Sequence, residues 1–170
     1  MKKLLLLATL TPLLLWPILS SANKQSPYYA GVGFSLNIPE NDNQFKTSLG
    51  YQLFGGYQFE NKIADVISLS VEAGYHNTGD FDGKAYISNG TIIIEDGFNS
   101  AGVWVAGVFG YEVFDSISIN GKLGADLGDD DGALFGVGLG YQVFDEIKVN
   151  VDYINRSNSQ AGQFNIIYQF

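Results

Sequence analysis

The stretch Gly162-Gln163-Phe164-Asn165-Ile166-Ile167-Tyr168-Gln169-Phe170 ends the sequence and decides the fold. Apolar side chains occupy every second position, and most of the positions between them are polar. This alternation predicts a β-strand with one apolar and one polar face. Such a strand could border a soluble sheet, but its exposed aromatic edge would then promote aggregation. The pattern favours a barrel whose apolar face contacts lipid and whose polar face lines the interior.

The beginning of the sequence has the composition of a secretory signal. Lys2 and Lys3 precede an apolar run over residues 4–19, and Ser20-Ser21-Ala22 supplies the small residues of a cleavage site. The run is shorter than the about 20 apolar residues of a membrane-spanning helix, and it contains prolines. We therefore predict a cleaved signal peptide over residues 1–22 and a barrel domain over residues 23–170.

The composition excludes several classes of function. The 170 residues include 18 acidic and 9 basic side chains, for a net charge of −9. Nucleic-acid-binding domains need a basic surface, so we expect no nucleic-acid partner. There is no cysteine, which excludes disulfides, thiolate metal sites and a lipid-modified cysteine.

Three segments repeat one pattern, in which a strand leads through Asp or Asn into a second alternating strand. They begin at Gly56-Tyr57-Gln58-Phe59, Gly110-Tyr111-Glu112-Val113 and Gly140-Tyr141-Gln142-Val143. Repeated hairpins with short turns on one side predict an up-and-down barrel. The strands are predicted over residues 28–37, 48–59, 66–76, 102–114, 116–126, 133–143, 146–154 and 162–170. Their polar faces are rich in glycine, which suits a narrow barrel interior better than the solvent-facing side of a lipocalin-like barrel.

These features together resemble the small outer-membrane barrels of the OmpA/OmpX superfamily. The resemblance covers the chain after the signal and implies an all-β, eight-stranded, antiparallel transmembrane barrel in the outer membrane of a Gram-negative cell. The partners that it implies are outer-membrane lipid, lipopolysaccharide, periplasmic chaperones and the barrel-assembly machinery. That machinery would read the closing strand through its alternating apolar residues, which are Phe164, Ile166, Tyr168 and Phe170.

Several charged side chains fall on the predicted inward face. These are Glu72, Glu112, Lys122, Lys148 and Asp152. An unpaired charge in a narrow lumen is costly, so a closed network of pairs that fills the barrel is the first interpretation. The alternative is a narrow channel for small solutes, in which the pairs exchange partners.

The longest predicted loop contains a hairpin signature, because Asn-Gly between two short apolar runs favours a type I′ turn. The residues that define it are Tyr86, Ile87, Asn89, Gly90, Ile92 and Ile93. Its arms are too short to cross a membrane, so we expect a protruding extension. Exposed hairpins can recruit a partner strand, which predicts adhesion to an extracellular protein or a host surface. The alternative is a hairpin that covers the barrel mouth.

Neither a metal centre nor an active site is predicted. The acidic segment from Asp126 to Asp131 could attract Ca²⁺, but a solvated acidic loop is the favoured interpretation. His76-Asn77-Thr78 is similar to the His-x-Ser pair of outer-membrane lipid A deacylases of the PagL type, but Thr78 replaces the serine. No carboxylate stands in evident register with His76, which we expect to be a polar residue at the membrane interface. We therefore predict a non-enzymatic surface protein without a cofactor.

Overall fold

The computed structural model describes residues 26–40, 44–94 and 96–170. The strands in these ranges are β1 (Tyr28–Pro39), β2 (Ser48–Gln58), β3 (Ile67–Phe81), β4 (Ala85–Ser88), β5 (Thr91–Ile94), β6 (Phe98–Phe114), β7 (Ile117–Asp126), β8 (Gly132–Phe144), β9 (Ile147–Asn155) and β10 (Ser159–Gln169). The predicted signal peptide, residues 1–22, lies outside the described residues and stays a prediction. Within those ranges, no helix is long and apolar enough to cross a membrane.

A closed antiparallel barrel is formed in the order β1-β10-β9-β8-β7-β6-β3-β2. The barrel closes between β1 and β10, where Val32 pairs with Ile166 and Phe34 with Phe164. Closure gives each strand two neighbours, so the backbone polar groups are satisfied without an open edge. The predicted eight-stranded, up-and-down transmembrane barrel is confirmed.

The two ends of the barrel differ in the length of their connections. The turn end carries the two-residue turns 115–116 and 145–146 and one longer connection, 59–66, whereas the loop end carries residues 40–47, 82–97, 127–131 and 156–158. In outer-membrane barrels the short turns face the periplasm and the longer loops face outside. We therefore expect the turn end to face the periplasm and the loop end to face the cell surface.

Side chains alternate between the two sides of the barrel wall, as the sequence predicts. The outward side chains are large, apolar and exposed, and they include Phe34, Leu49, Val137, Leu139, Val151 and Phe164. The inward side chains are mostly polar and buried, and they include Asn37, Gln52, Asn120, Asn150 and Asn165. An apolar exterior of this kind is stable in hydrocarbon, and it is the inverse of a soluble barrel.

The strands β4 and β5 form a separate two-stranded sheet at the loop end. Ile87 pairs with Ile92 and Ser88 pairs with Thr91 across the turn. Asn89 and Gly90 have φ values of 51° and 79°. A type I′ turn requires a positive φ at both central residues, which Asn and Gly tolerate best. The predicted hairpin is thus present and is not part of the barrel wall.

Two barrel strands, β3 and β6, extend four to five residues further toward the loop end than the sequence predicts. The alternation predicts a third strand that ends at His76 and a fourth that begins at Gly102, whereas β3 continues to Phe81 and β6 begins at Phe98. The ring centroid of Phe98 lies 4.8 Å from that of Phe81 and 4.9 Å from that of Phe45. These aromatic contacts stabilise the extension of the sheet, although the sequence around it is polar.

Candidate functional site

The lumen is filled between its middle and the loop end. Phe54, Trp104, Leu134 and Ile154 form a buried apolar layer there. The ring centroids of Phe54 and Trp104 are 5.9 Å apart, so the two rings pack directly against each other. This layer places apolar side chains across the axis of the barrel.

Lys122 lies in the lumen between two carboxylates. Its Nζ atom is 2.8 Å from Oε2 of Glu72 and 3.9 Å from Oδ2 of Asp152. The carboxylates have further donors, because Tyr29 OH donates to Oε1 of Glu72 (3.0 Å) and Asn165 Nδ2 donates to Oδ2 of Asp152 (2.7 Å). Such second partners are what allow a buried ion pair to offset its desolvation cost.

The ammonium of Lys122 also contacts the apolar layer. Its Nζ atom lies 5.3 Å from the ring centroid of Phe54 and 5.6 Å from that of Trp104. Both distances are within the range of a cation–π interaction. Lys122 therefore joins the ionic contacts to the apolar layer.

The other two predicted lumen charges have a different environment. The side chains of Glu112 and Lys148 line a cavity of about 400 Å³ that opens at the turn end. Among the described residues, neither forms an ion pair within 4 Å, whereas Glu72, Lys122 and Asp152 are in contact. The five predicted charges therefore form one three-membered cluster and two separate groups. We call the space lined by Tyr29, Glu72, Glu112, Asn120, Lys148 and Asn150 the turn-side cavity.

A second ionic cluster lies near the loop end and was not predicted. His76 Nε2 is 2.7 Å from Oδ2 of Asp126, and Arg156 Nε is 3.2 Å from the same oxygen. Arg156 follows β9, outside the spanning strands; burial lowers its pKa, and Asp126 and Asp130 oppose that shift. A guanidinium remains protonated in proteins, so a buried positive charge faces these carboxylates.

Two expectations about His76 are therefore wrong. The side chain is 2% exposed and lies inside the lumen, not at the membrane interface. A carboxylate, Asp126, also stands beside it. Alternation from Glu72 through His76 on β3 places His76 inward, whereas its position near the predicted strand end favours an interfacial role.

The acidic segment is only partly solvated, because Asp129 and Asp131 are exposed whereas the other two carboxylates are not. Asp126 and Asp130 are completely buried. Asp130 accepts hydrogen bonds from Asn158 N (2.6 Å) and Ser159 Oγ (2.7 Å), and Asp129 accepts one from Ala101 N (3.1 Å). In the part of the chain that the structure describes, no three His, Asp or Glu side chains are grouped to hold a metal ion. The carboxylates instead connect the loops to one another.

The β4–β5 hairpin presents one apolar face. Ile87, Ile92 and Ile94 are 75%, 69% and 70% exposed. Ile87 and Ile92 are directly paired and Ile94 pairs with Ala85, so these side chains share one side of the sheet. Tyr86 pairs with Ile93 on the opposite side, and both are partly buried.

The base of the hairpin is attached to the neighbouring loop. Backbone N–H groups of Lys46 and Lys84 donate to the carbonyl oxygens of Asp82 (2.8 Å) and Gln44 (2.6 Å). Lys46 Nζ also lies 3.5 Å from Oδ2 of Asp82. With the aromatic contacts of Phe45, these bonds fix the orientation of the hairpin relative to the barrel.

The predicted assembly residues lie on the closing strand. Phe164, Ile166 and Tyr168 face outward from β10, and the ring of Phe170 packs 5.4 Å from that of Tyr168. Phe170 N donates to the carbonyl of Tyr28 (3.1 Å), which attaches the last residue to the start of β1. Recognition of these residues by assembly proteins stays a prediction.

Comparison with solved structures identifies barrels of the same size. A designed transmembrane β-barrel is 20% identical with a TM-score of 0.52, covering 88% of this chain and 100% of the design. Ail, the attachment invasion locus protein of Yersinia pestis in complex with the heparin analogue sucrose octasulfate, is 13% identical with a TM-score of 0.52, covering 86% and 100%. Neisserial surface protein A is 10% identical with a TM-score of 0.54, covering 87% and 100%. At these identities the structures show a shared fold.

The family is established by sequence. No curated protein sequence matches the chain. A family model described as the OmpA-like transmembrane domain matches residues 22–166, which include every strand of the barrel except the end of β10. The chain therefore belongs to the OmpA-like transmembrane domain family of outer-membrane β-barrels.

Proposed function

We propose that this protein is a non-enzymatic surface protein that binds a partner protein through the β4–β5 hairpin. The observation that carries the proposal is the exposed face of Ile87, Ile92 and Ile94, held outside the barrel on a fixed base. Isolated two-stranded hairpins are marginally stable in water, and an exposed apolar strand tends to pair with another chain. A partner strand with an apolar face would cover these isoleucines and extend the sheet.

The charge distribution indicates the chemistry of that partner. No charged side chain occurs between Ala85 and Ile94, although the chain as a whole carries a net charge of −9. Binding by this face would therefore depend on apolar and backbone contacts and would change little with salt concentration. Ail, by contrast, forms a complex with a sulfated heparin analogue. A polyanion of that kind needs basic side chains, and an acidic chain with a neutral hairpin is not suited to it.

Substitution on the two faces of the hairpin tests the proposal. Changing Ile87, Ile92 and Ile94 together to Thr keeps a high β-propensity but removes the apolar face. We expect bacteria that display this variant to lose their adhesion to cultured epithelial cells, while Ile93→Thr on the opposite face retains it. Equal adhesion by the triple variant and the unchanged protein would contradict the proposal. Surface display of each variant is checked with an epitope tag in another loop.

A channel is the alternative function, but side chains that fill half of the lumen would obstruct a solute. A solute would have to pass the layer of Phe54 and Trp104 and the contacts of Lys122. We expect the refolded protein to be silent in a planar bilayer. Discrete openings that change with Lys122→Ala or Lys148→Ala would instead support the channel.

The absence of an enzymatic function is also part of the proposal. Thr78 Oγ1 is bonded to backbone atoms of Gly79 and Ser100 rather than to His76. Nucleophilic catalysis needs the hydroxyl and its base within hydrogen-bond reach. The oxygen of Asp126 that contacts His76 is also shared with Arg156, as in a structural ion cluster. Release of fatty acid from lipid A by the purified protein would contradict this assignment.

A further inference from the structure

The turn-side cavity has the size and polarity of a small-molecule site. Its volume of about 400 Å³ is open at the turn end, and its walls come from all eight strands of the barrel. Small-molecule sites in proteins usually occupy roughly 300–1,000 Å³ and contain a few convergent polar groups. The hairpin lies at the opposite end of the barrel, so this cavity is separate from the proposed adhesive surface.

Three charged side chains line the cavity inside the barrel, namely Glu72, the exposed Glu112 and the half-buried Lys148. Glu72 is already paired with Lys122 and accepts a hydrogen bond from Tyr29. This leaves Glu112 and Lys148 as the lining charges without an ion-pair partner among the described residues inside the barrel. Lys148 interacts electrostatically with Glu112, Glu72 and Asp152, but none of these carboxylates lies within 4 Å of its ammonium. A ligand with one negative and one positive group would satisfy both.

Two buried amides in the same wall each have one polar atom without a hydrogen-bond partner among the described residues. Asn120 and Asn150 are each 4% exposed and both line the cavity. Asn120 Nδ2 has no acceptor and Asn150 Oδ1 has no donor among the described residues, although buried polar atoms are nearly always hydrogen-bonded. One free donor and one free acceptor thus lie in the same wall as the charges of Lys148 and Glu112.

A glycine makes room for these groups to converge. An ideal Cβ atom on Gly140 would lie 2.6 Å from Ser118 Oγ and 2.7 Å from Asn150 Oδ1, and it would also collide with Cε of Lys148. These three side chains therefore meet above the Gly140 backbone. A larger residue at this position would displace them, so the wall depends on glycine here.

We propose that the turn-side cavity binds a small zwitterion, of the class of α-amino acids and dipeptides. Lys148 and Asn120 Nδ2 donate to the ligand carboxylate, while Glu112 and Asn150 Oδ1 accept from its ammonium group. The ligand enters from the turn end, which faces the periplasm. The filled loop-end half of the lumen prevents it from leaving at the cell surface.

Binding of L-alanyl-L-alanine to the refolded full chain in lipid nanodiscs tests this proposal, because nanodiscs leave both barrel ends accessible. Affinity is measured by NMR titration and compared with two analogues, the C-terminal amide and the N-acetyl derivative, each of which keeps one charge. A charge-assisted hydrogen bond is lost with each analogue, so we expect binding at least about tenfold weaker. Lys148→Met and Glu112→Gln should each weaken dipeptide binding by the same factor, at least about tenfold.

Selectivity distinguishes a direct contact from a general change in the cavity. The Lys148→Met variant should bind the dipeptide and its amide equally, because the charged partner of the carboxylate is gone and Asn120 Nδ2 can donate to an oxygen of either group. Glu112→Gln should likewise cease to distinguish the dipeptide from its N-acetyl derivative. Lys62→Met removes a cation from the exposed rim of the same cavity and should leave the affinity unchanged.

Three results would overturn the assignment. They are the absence of dipeptide binding at tens of millimolar, equal affinity of the unchanged protein for the dipeptide and its amide, and full affinity in both Lys148→Met and Glu112→Gln. The second result would indicate a site for cations only. Migration as a folded barrel in unheated gels confirms that each variant is assembled before titration.

Discussion

The two halves of the lumen use similar residue types in opposite ways. Toward the loop end, Asp126 is shared by His76 and Arg156, and Lys122 contacts Glu72, Asp152 and two aromatic rings. Toward the turn end, Glu112 and Lys148 stand apart beside an open cavity. Charged side chains inside one barrel can therefore have different roles. Where charges are mutually paired they hold strands together, and where they are left apart they are available to a ligand.

Among the substitutions that compare the two halves, Lys122→Met should cause the largest loss of stability. It leaves the carboxylates of Glu72 and Asp152 buried without their shared cation. Removing one partner of a buried ion pair costs about 3–5 kcal/mol of the free energy of unfolding. Urea unfolding of the refolded protein in lipid vesicles measures this loss. A loss no larger than that of an exposed lysine would mean that the cluster does not stabilise the barrel.

Arg156→Met tests the cluster near the loop end. Asp126 retains His76 as a neighbour, so the expected loss is smaller, about 1.5–3 kcal/mol for a hydrogen bond to a charged group. The control is Lys46→Met, which removes the exposed ion pair with Asp82 and should cost less than about 0.5 kcal/mol. Both are measured by urea unfolding in vesicles. Equal effects of the two substitutions would remove the distinction between buried and exposed pairs.

Tyr29→Phe tests the boundary between the two halves. The substitution removes the hydrogen bond to Oε1 of Glu72, which borders the turn-side cavity. Water in the cavity can replace the lost donor, so we expect a loss of only about 0.5–1.5 kcal/mol in the same unfolding experiment. A loss as large as that of Lys122→Met would place Glu72 wholly within the filled half.

Lys148→Met should have the smallest effect on stability. Its ammonium has no ion-pair partner within 4 Å among the described residues, and the desolvation cost of such a charge offsets the attraction of the more distant carboxylates, so we expect a change of less than about 0.5 kcal/mol. Unfolding of this variant should match that of the unchanged protein. A clear destabilisation would show that Lys148 supports the barrel and would weaken its assignment to a binding site.

The barrel itself could be predicted because a transmembrane wall has a simple rule. Every second residue faces lipid, so the alternation in β10 and in the repeated hairpins determines strand direction and facing. The same rule places Glu72, Lys122 and Asp152 inward. Their mutual contact could not be read from the pattern, because it depends on the register of strands that are not adjacent in the sequence.

The loop end could be predicted less well, for a different reason. The segment after His76 is polar and therefore predicts a loop, whereas β3 continues to Phe81 and is held by Phe45 and Phe98. Burial of Asp126 and Asp130 also depends on donors from residues 156–159, far away in the sequence. Such contacts cannot be predicted from the local composition of the sequence. The Asn89-Gly90 turn could be predicted because its chemistry is entirely local.

The pairing of β1 with β10 also has a kinetic consequence. Tyr29 is paired with Gln169, so closure of the barrel joins residues from opposite ends of the described chain. Closing so large a loop costs entropy before any contact compensates for it, and dominance of non-local pairs slows folding. Until β10 arrives, each intermediate has two unpaired edges that can bind other chains. We therefore expect the pairing of β10 with β1 to limit the rate of folding and to set the period during which the chain is prone to aggregate.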